Sequence, residues 1–200
     1  VAIFSTVGGY AKAMSGPAMA VAIGYALKCP PLVLFSLFWK RVFDIFVSVT
    51  MLVILSPLLL ILAVAIKIDS KGSVFYRQER VTQYGKRFKI HKFRTMVSNA
   101  DKIGTAGTIE NDSRVTKVGR KIRGLRLDEL PQLLDVLSGN MSFVGTRPEV
   151  PKYVAEYTPQ MLATLLLPAG ITSLASIYYK DEAELLNGAE DTDRVYVEKI

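Results

Sequence analysis

The chain has 200 residues, half of them hydrophobic and 22% charged, with 25 Lys and Arg against 18 Asp and Glu. That length holds one good-sized domain with an appendage. The hydrophobicity excludes intrinsic disorder, and the lack of a second clean apolar run of about 20 residues excludes a polytopic transporter. One cysteine, Cys29, and one histidine, His91, exclude an internal disulfide, a His-rich metal site and, unless His91 were the base, a Ser-His-Asp hydrolase.

The charge is uneven along the chain. Up to Ile66 there are four basic residues and one acid, Asp44; Lys67 to Arg126 holds sixteen basic and five acidic; Leu127 to Ile200 holds five basic and twelve acidic. A basic middle behind an apolar head suits anionic lipid headgroups, phosphorylated substrates or nucleic acid. Residues 1–37 form a poorly defined hydrophobic segment. Ala13 to Leu27 is apolar but carries Gly16, Pro17 and Gly24, and it lacks the basic start and cleavage site of a signal peptide.

Residues 38–68 carry the membrane segment. Ile45 to Ile66 is 22 residues without a charge, about 33 Å of helix. Fifteen of them are Ile, Leu, Val or Phe, whose summed insertion free energy, roughly −4.5 to −9 kcal/mol, exceeds the ~3 kcal/mol cost of a mid-helix proline. Pro57 deprives the Val53 carbonyl of its helical partner, and Ser56 can return a hydroxyl hydrogen bond to a carbonyl one turn earlier. Lys40 and Arg41 precede the run and Lys67 and Lys71 follow it, so the positive-inside rule selects no crossing direction. On physics alone a kinked spanning helix and a re-entrant hairpin broken at Ser56-Pro57 stand level. Trp39, with Phe35 and Phe38, reads as an interfacial anchor.

From Asp69 onward the class is α/β, mostly helical, with one or two short β-hairpins. Ser73 to Val81 reads as extended, Gly85 supplies a turn, and Arg87 to Met96 answers with strict alternation: Phe88, Ile90 and Lys92 on one face, Lys89, His91 and Phe93 on the other. Gly104 to Ser113 reads as a loop and Val118 to Gly124 as a short helix. Leu127, Leu130, Leu134 and Leu137 form a helical stripe stopped by Ser138-Gly139-Asn140. Pro148 to Tyr157 and Pro159 to Leu167 are further helical candidates, and Gly170-Ile171-Thr172 begins a loop.

The stretch Arg123 to Pro148 carries the chemistry. Asp128 and Glu129 adjoin just before Pro131, a residue that favours the first turn of a helix. Near an N-cap, free backbone N–H groups and the helix dipole would keep Asp128 ionised. An ionised carboxylate binds Mg²⁺ and attacks phosphorus, and Arg123 and Arg126 stand ready for phosphate oxygens. The same spacing also suits ordinary capping with surface ion pairs. His91 reads as a strand surface residue rather than a base.

Leu127-Asp128-Glu129-Leu130-Pro131-Gln132-Leu133, followed by Val144-Gly145-Thr146-Arg147-Pro148, resembles the core motif of the monotopic phosphoglycosyl transferases, or bacterial sugar transferases. Those enzymes initiate surface polysaccharide and glycoconjugate assembly. Lys40-Arg41-Val42-Phe43-Asp44, Ser56-Pro57, Phe88 to Met96 and Gly170-Ile171-Thr172 are similar to further motifs in the same order, and the resemblance covers about residues 38–200. Thr146 stands where many members have Pro, and Pro168-Ala169 where many have Arg-Pro.

The resemblance implies transfer of a sugar-1-phosphate from a UDP-sugar to polyprenyl (undecaprenyl) phosphate, with release of UMP. Asp128 is the implied nucleophile, forming a covalent phosphosugar. Glu129 gives metal or acid/base support, and Mg²⁺ is held by Asp128 and Glu129. Arg123 and Arg147 bind phosphate and nucleotide, and Lys40, Arg41, Lys89, Lys92 and Arg94 touch phosphate or headgroups. It also implies a re-entrant hairpin over 38–68 and a cytoplasmic catalytic domain over 69–200, expected to be incomplete at its C-terminus. The location implied is the bacterial inner membrane. The expected partners are UDP-sugar, polyprenyl phosphate and membrane lipids, not nucleic acid, with a homo-oligomer left open. Two alternatives remain: a metal-dependent glycosyltransferase using Asp191-Thr192-Asp193 and releasing UDP, and a membrane-tethered polyanion binder.

Overall fold

The computed structural model describes residues 31–100 and 112–178. The apolar segment at 1–30, the loop from Gly104 to Asn111 and the Asp191-Thr192-Asp193 triplet lie outside the described residues.

Helix α1 spans Pro31–Asp69, 39 residues and about 58 Å at 1.5 Å per residue. Where the sequence reading divides the segment at Ser56-Pro57, the helix runs on without interruption. The local chemistry expected there is present: the Ser56 hydroxyl donates to the Val53 carbonyl at 2.8 Å, the acceptor that proline leaves open. Apolar residues surround α1, and the domain covers one side only. On the uncovered side Phe46, Val53, Ile54, Leu60, Ile61 and Ile68 are 64–82% exposed, a surface that water does not favour.

The rest of the molecule holds α1 at both flanks of its uncharged run. At the first, Arg41 donates to the carbonyls of Val136 (2.6 Å) and Leu137 (2.9 Å). Ser142 donates to Asp44 at 2.7 Å, and Lys40 reaches both Asp44 and Ser142. At the second, Leu62 and Ile66 pack with Phe93 and Ile122, joined by Leu127 and Leu130. Asp69 there accepts the backbone N–H of Val118 at 3.0 Å.

Strands β1 (Phe75–Val81) and β2 (Arg87–Phe93) form the expected antiparallel hairpin, with Gln78 opposite Ile90 and Arg80 opposite Phe88. Its turn is made by Tyr84 (φ 59°) and Gly85 (φ 75°). The glycine takes this left-handed region without a Cβ penalty. Helix α2 follows at Lys117–Gly124, close to expectation, with the Thr116 hydroxyl capping the N–H of Gly119.

The leucine stripe is only half as regular as expected. Leu127–Gln132 is a 3₁₀ turn and only Leu133–Leu137 is α-helix, here α3. Pro131 cannot supply the N–H that an α-helix beginning at Leu127 needs inside its second turn. The chain then leaves through Gly139 (φ 82°).

A second sheet went unread in the sequence. Strand β3 (Met141–Val144) pairs in parallel with β4 (Ala169–Thr172), which replaces the loop expected at Gly170. The crossover between them carries α4 (Pro151–Val154), α5 (Pro159–Leu162) and a 3₁₀ turn at Ala163–Leu166, shorter pieces than the two helices expected there. Where β3 ends and β4 begins the backbones nearly touch. A Cβ on Gly145 would collide with the Pro168 carbonyl oxygen, and one on Gly170 with the Gly145 nitrogen. Both glycines are therefore required by that crossing. Helix α6 (Leu174–Tyr178) ends the described chain. The core between hairpin and parallel pair is Phe88, Ile90, Val136, Met141 and Ala169.

Candidate active site

The 3₁₀ turn at Leu127–Gln132 presents the adjacent carboxylates. Leu127 and Leu130 lean on the α1 core cluster while Pro131 and Gln132 are buried. Arg126, in the left-handed region (φ 53°), turns the chain out of α2 and into this element. Asp128 is therefore not an N-cap but the second residue of the turn, 8% exposed.

The two carboxylates differ in their surroundings. Burial, assisted by the charge of Glu129, pushes Asp128 above the usual carboxylate range, although Lys92 and Arg123 pull the other way. Desolvation thus acts on Asp128 against the stabilisation of its charged form that the sequence suggests. Burial also acts to raise Glu129. Its 2.7 Å ion pair with Lys92 and the charges of Arg126 and Arg147 overcome that, and Glu129 is held below its ordinary value.

Two cavities meet at this turn. The larger, about 400 Å³, is mostly apolar and is lined by Met51 of α1, Leu130, Leu133, Phe143, Ile171 and Ile177, with Arg126 and Glu129 also in its wall. The smaller, about 110 Å³, is cationic: Arg80, Lys92, Arg126 and Arg147 line it with Glu129 and Gln132. Arg126, Glu129, Ile171 and Ser176 belong to both walls. Asp128 lines neither. Four cations around so small a space suit an anion with several oxygens, and the apolar cavity suits a hydrocarbon.

Of the residues singled out in the sequence, the structure brings Glu129, Lys92, Arg126 and Arg147 to the cationic cavity. Arg123 lies outside both linings, but its charge is felt by Asp128. Four others are elsewhere. Arg94 is 6% exposed and donates to the Ser70 and Lys71 carbonyls, tying the end of α1 to β2. Arg41 caps the end of α3, and Lys40 is committed to Asp44 and Ser142. Lys89 is exposed on the strand face that points away from Lys92. These cations hold the fold together or face solvent, and none of the four lines either cavity.

Sequence reasoning missed Arg80, Gln132 and Glu149. Alternation could have found Arg80, which shares a face with the partners of Ile90 and Lys92 once the hairpin register is fixed. His91 is not a plain surface residue. Its backbone N–H donates to Asp135 at 2.8 Å, and its Nδ1 lies 2.8 Å from the other carboxylate oxygen. Asp135, 1% exposed, thus ties β2 to α3.

Mg²⁺ is judged by the donor chemistry. Among the described residues no cluster of three His, Cys, Asp or Glu side chains could hold a metal. Mg²⁺ is typically bound by one or two carboxylates together with waters and substrate phosphates, and Asp128 with Glu129 fits that pattern.

The sequence pattern of the family described as bacterial sugar transferase matches residues 35–200. A UDP-glucose:undecaprenyl-phosphate glucose-1-phosphate transferase of Klebsiella pneumoniae is 41% identical over 168 residues, covering 80% of this chain and 36% of that protein. A UDP-N-acetylgalactosamine-undecaprenyl-phosphate N-acetylgalactosaminephosphotransferase of Aeromonas hydrophila is 38% identical over 164 residues, covering 80% and 38%. An exopolysaccharide production protein PSS of Rhizobium leguminosarum bv. phaseoli is 48% identical over 109 residues, 54% of each chain. The chain thus spans between 36% and 54% of the length of these relatives. With a match from Phe35 to Ile200, the chain belongs to the bacterial sugar transferase family.

Proposed function

We propose that this chain transfers a sugar-1-phosphate from a UDP-sugar to a polyprenyl phosphate at the cytoplasmic face of the bacterial inner membrane. The observation that carries the reading is the meeting of two cavities at Arg126 and Glu129, one cationic and one apolar with Met51 of the long helix in its wall. A phosphate with a hydrocarbon tail matches both at once, and a diphosphate matches the cationic one. The names of the relatives point to the same acceptor.

The chemistry is a double displacement. An Asp128 carboxylate oxygen attacks the sugar-bearing β-phosphorus. The bond from that phosphorus to the bridging oxygen breaks, and UMP leaves with the oxygen. An oxygen of the polyprenyl phosphate then attacks the same phosphorus, releases Asp128 and yields the polyprenyl diphosphate sugar. Attack requires the buried Asp128 carboxylate to turn toward the cavity and to be ionised, both favoured by the cations around it. Lys92, Arg126 and Arg147 hold phosphate oxygens, and Lys92 also keeps Glu129 charged. Mg²⁺, held by Asp128 and Glu129, offsets diphosphate charge when bound. The assay that tests the reading is nucleotide release with undecaprenyl phosphate and a panel of UDP-sugars. UMP is the expected product; UDP would mean glycosyl transfer, and no nucleotide would mean a binder.

The anchors of α1 bear on its path relative to the membrane. One domain grips the helix at Lys40–Asp44 and again at Leu62–Asp69. A helix that crossed the bilayer between those points would have to leave one grip behind. This supports entry and exit on the same side. Single cysteines at exposed Phe38 and Lys71, with Cys29 removed, should both react with an impermeant thiol label from the cytoplasmic side only. Labelling from opposite sides would mean a spanning helix.

A further inference from the structure

We infer that Glu149 is a positioning residue that sets the spacing of the two arginines, Arg80 and Arg147, in the cationic cavity; this rests on reading that cavity as the diphosphate subsite. Glu149 is 8% exposed and stands behind the wall, where Arg80, Arg147 and Pro148 line the cavity and it does not. Its two carboxylate oxygens face one guanidinium each: Oε1 lies 3.3 Å from Nε of Arg147, and Oε2 lies 4.0 Å from Nη1 of Arg80.

The backbone completes the brace. The Glu149 carbonyl accepts the Val81 N–H at 2.8 Å, and Arg80 Nη1 donates to the Pro148 carbonyl at 3.0 Å. Strand β1 and the Arg147-Pro148 loop are thereby locked together at the carboxylate. Two guanidiniums beside one small cavity repel each other, and long side chains so placed splay apart without a counter-charge. A carboxylate behind both holds them convergent before substrate arrives, which lowers the ordering cost of binding.

Positioning and simple charge balance predict opposite signs, which makes the inference decidable. If Glu149 only offset charge, Glu149→Gln would raise the local positive potential and tighten anion binding. If it positions, the amide keeps one acceptor for Arg147 but turns an NH₂ toward Arg80, and binding weakens. With full-length protein in nanodiscs, titration with UMP should show Kd rising about tenfold in Glu149→Gln, about 1.4 kcal/mol. KM for the UDP-sugar should rise in parallel, kcat should fall less than about threefold, and the melting temperature should stay within about 3 °C, since a coupled KM and binding loss is what positioning moves. In an Arg147→Met background the same change should add less than about threefold, because contacting residues are not additive. Glu149→Asp keeps the charge but cannot span both guanidiniums, so it should weaken UMP binding in the same direction and decides the matter should the Gln variant not fold. Unchanged or tighter UMP binding, or a full effect in the Arg147→Met background, overturns the inference. Its failure leaves UMP release and Asp128 chemistry intact, whereas failure of the transferase reading would appear as wild-type protein that binds no UMP.

Discussion

Asp128→Asn should lower kcat by roughly four orders of magnitude or more, the scale seen when a nucleophile acting within a concerted set of groups is removed. The amide has the same shape and cannot form the acyl phosphate. Stability should hold or rise slightly, because burial already disfavours the charged form of Asp128. The loss is thus chemical rather than structural, and a melting curve beside the rate measurement separates the two. The ionised carboxylate is the reactive form, and its folded-state value lies above the ordinary range. Its ionised fraction therefore grows as pH climbs through that raised value. The acid limb of kcat/KM should lie above the ordinary aspartate pKa of about 3.9 and vanish in the variant. A polyanion binder would keep its function in Asp128→Asn, since no cationic contact is touched.

Asp44→Ala should be the most damaging change outside the site. Asp44 is 4% exposed and takes hydrogen bonds from Ser142 (2.7 Å), the Phe143 N–H (3.4 Å) and Lys40 (3.3 Å). Removing it leaves Ser142, 1% exposed, without that acceptor and the Lys40 ammonium without its counter-ion. Breaking a buried ion pair from one side costs about 3–5 kcal/mol. The low end, about 3 kcal/mol, applies because the Lys40 side chain is 39% exposed and finds water. That corresponds to a melting temperature lower by roughly 6–12 °C for a chain of this size. Activity should fall as well, because β3 carries Phe143 into the apolar cavity. A melting curve that matches wild type would show that α1 is not docked through this cluster.

The parts of the fold that were legible in the sequence are those with local causes. The hairpin was readable because Arg87 to Phe93 alternates strictly and Gly85 marks its turn. The β3–β4 pair was not, because four-residue strands show no period and their pairing joins residues 28 apart, such as Met141 and Ala169. The leucine stripe was legible as a buried face, but Pro131 split it into 3₁₀ and α segments. Spacing placed Asp128 and Glu129 next to a cationic group and said nothing of burial, which raises the pKa of Asp128. Charge alone does not show that the Ser70, Lys71, Val136 and Leu137 carbonyls and Asp44 engage Arg94, Arg41 and Lys40. Arg80 and Glu149 meet only through tertiary structure.

The central claim is that a carboxylate of this chain carries the sugar's phosphate between donor and acceptor. Protein incubated with UDP-sugar and Mg²⁺ but no lipid acceptor, quenched and digested, should yield the Asp128 peptide heavier by one phosphosugar, and adding polyprenyl phosphate before the quench should erase that mass. An unmodified peptide from a preparation that turns over normally would contradict the account.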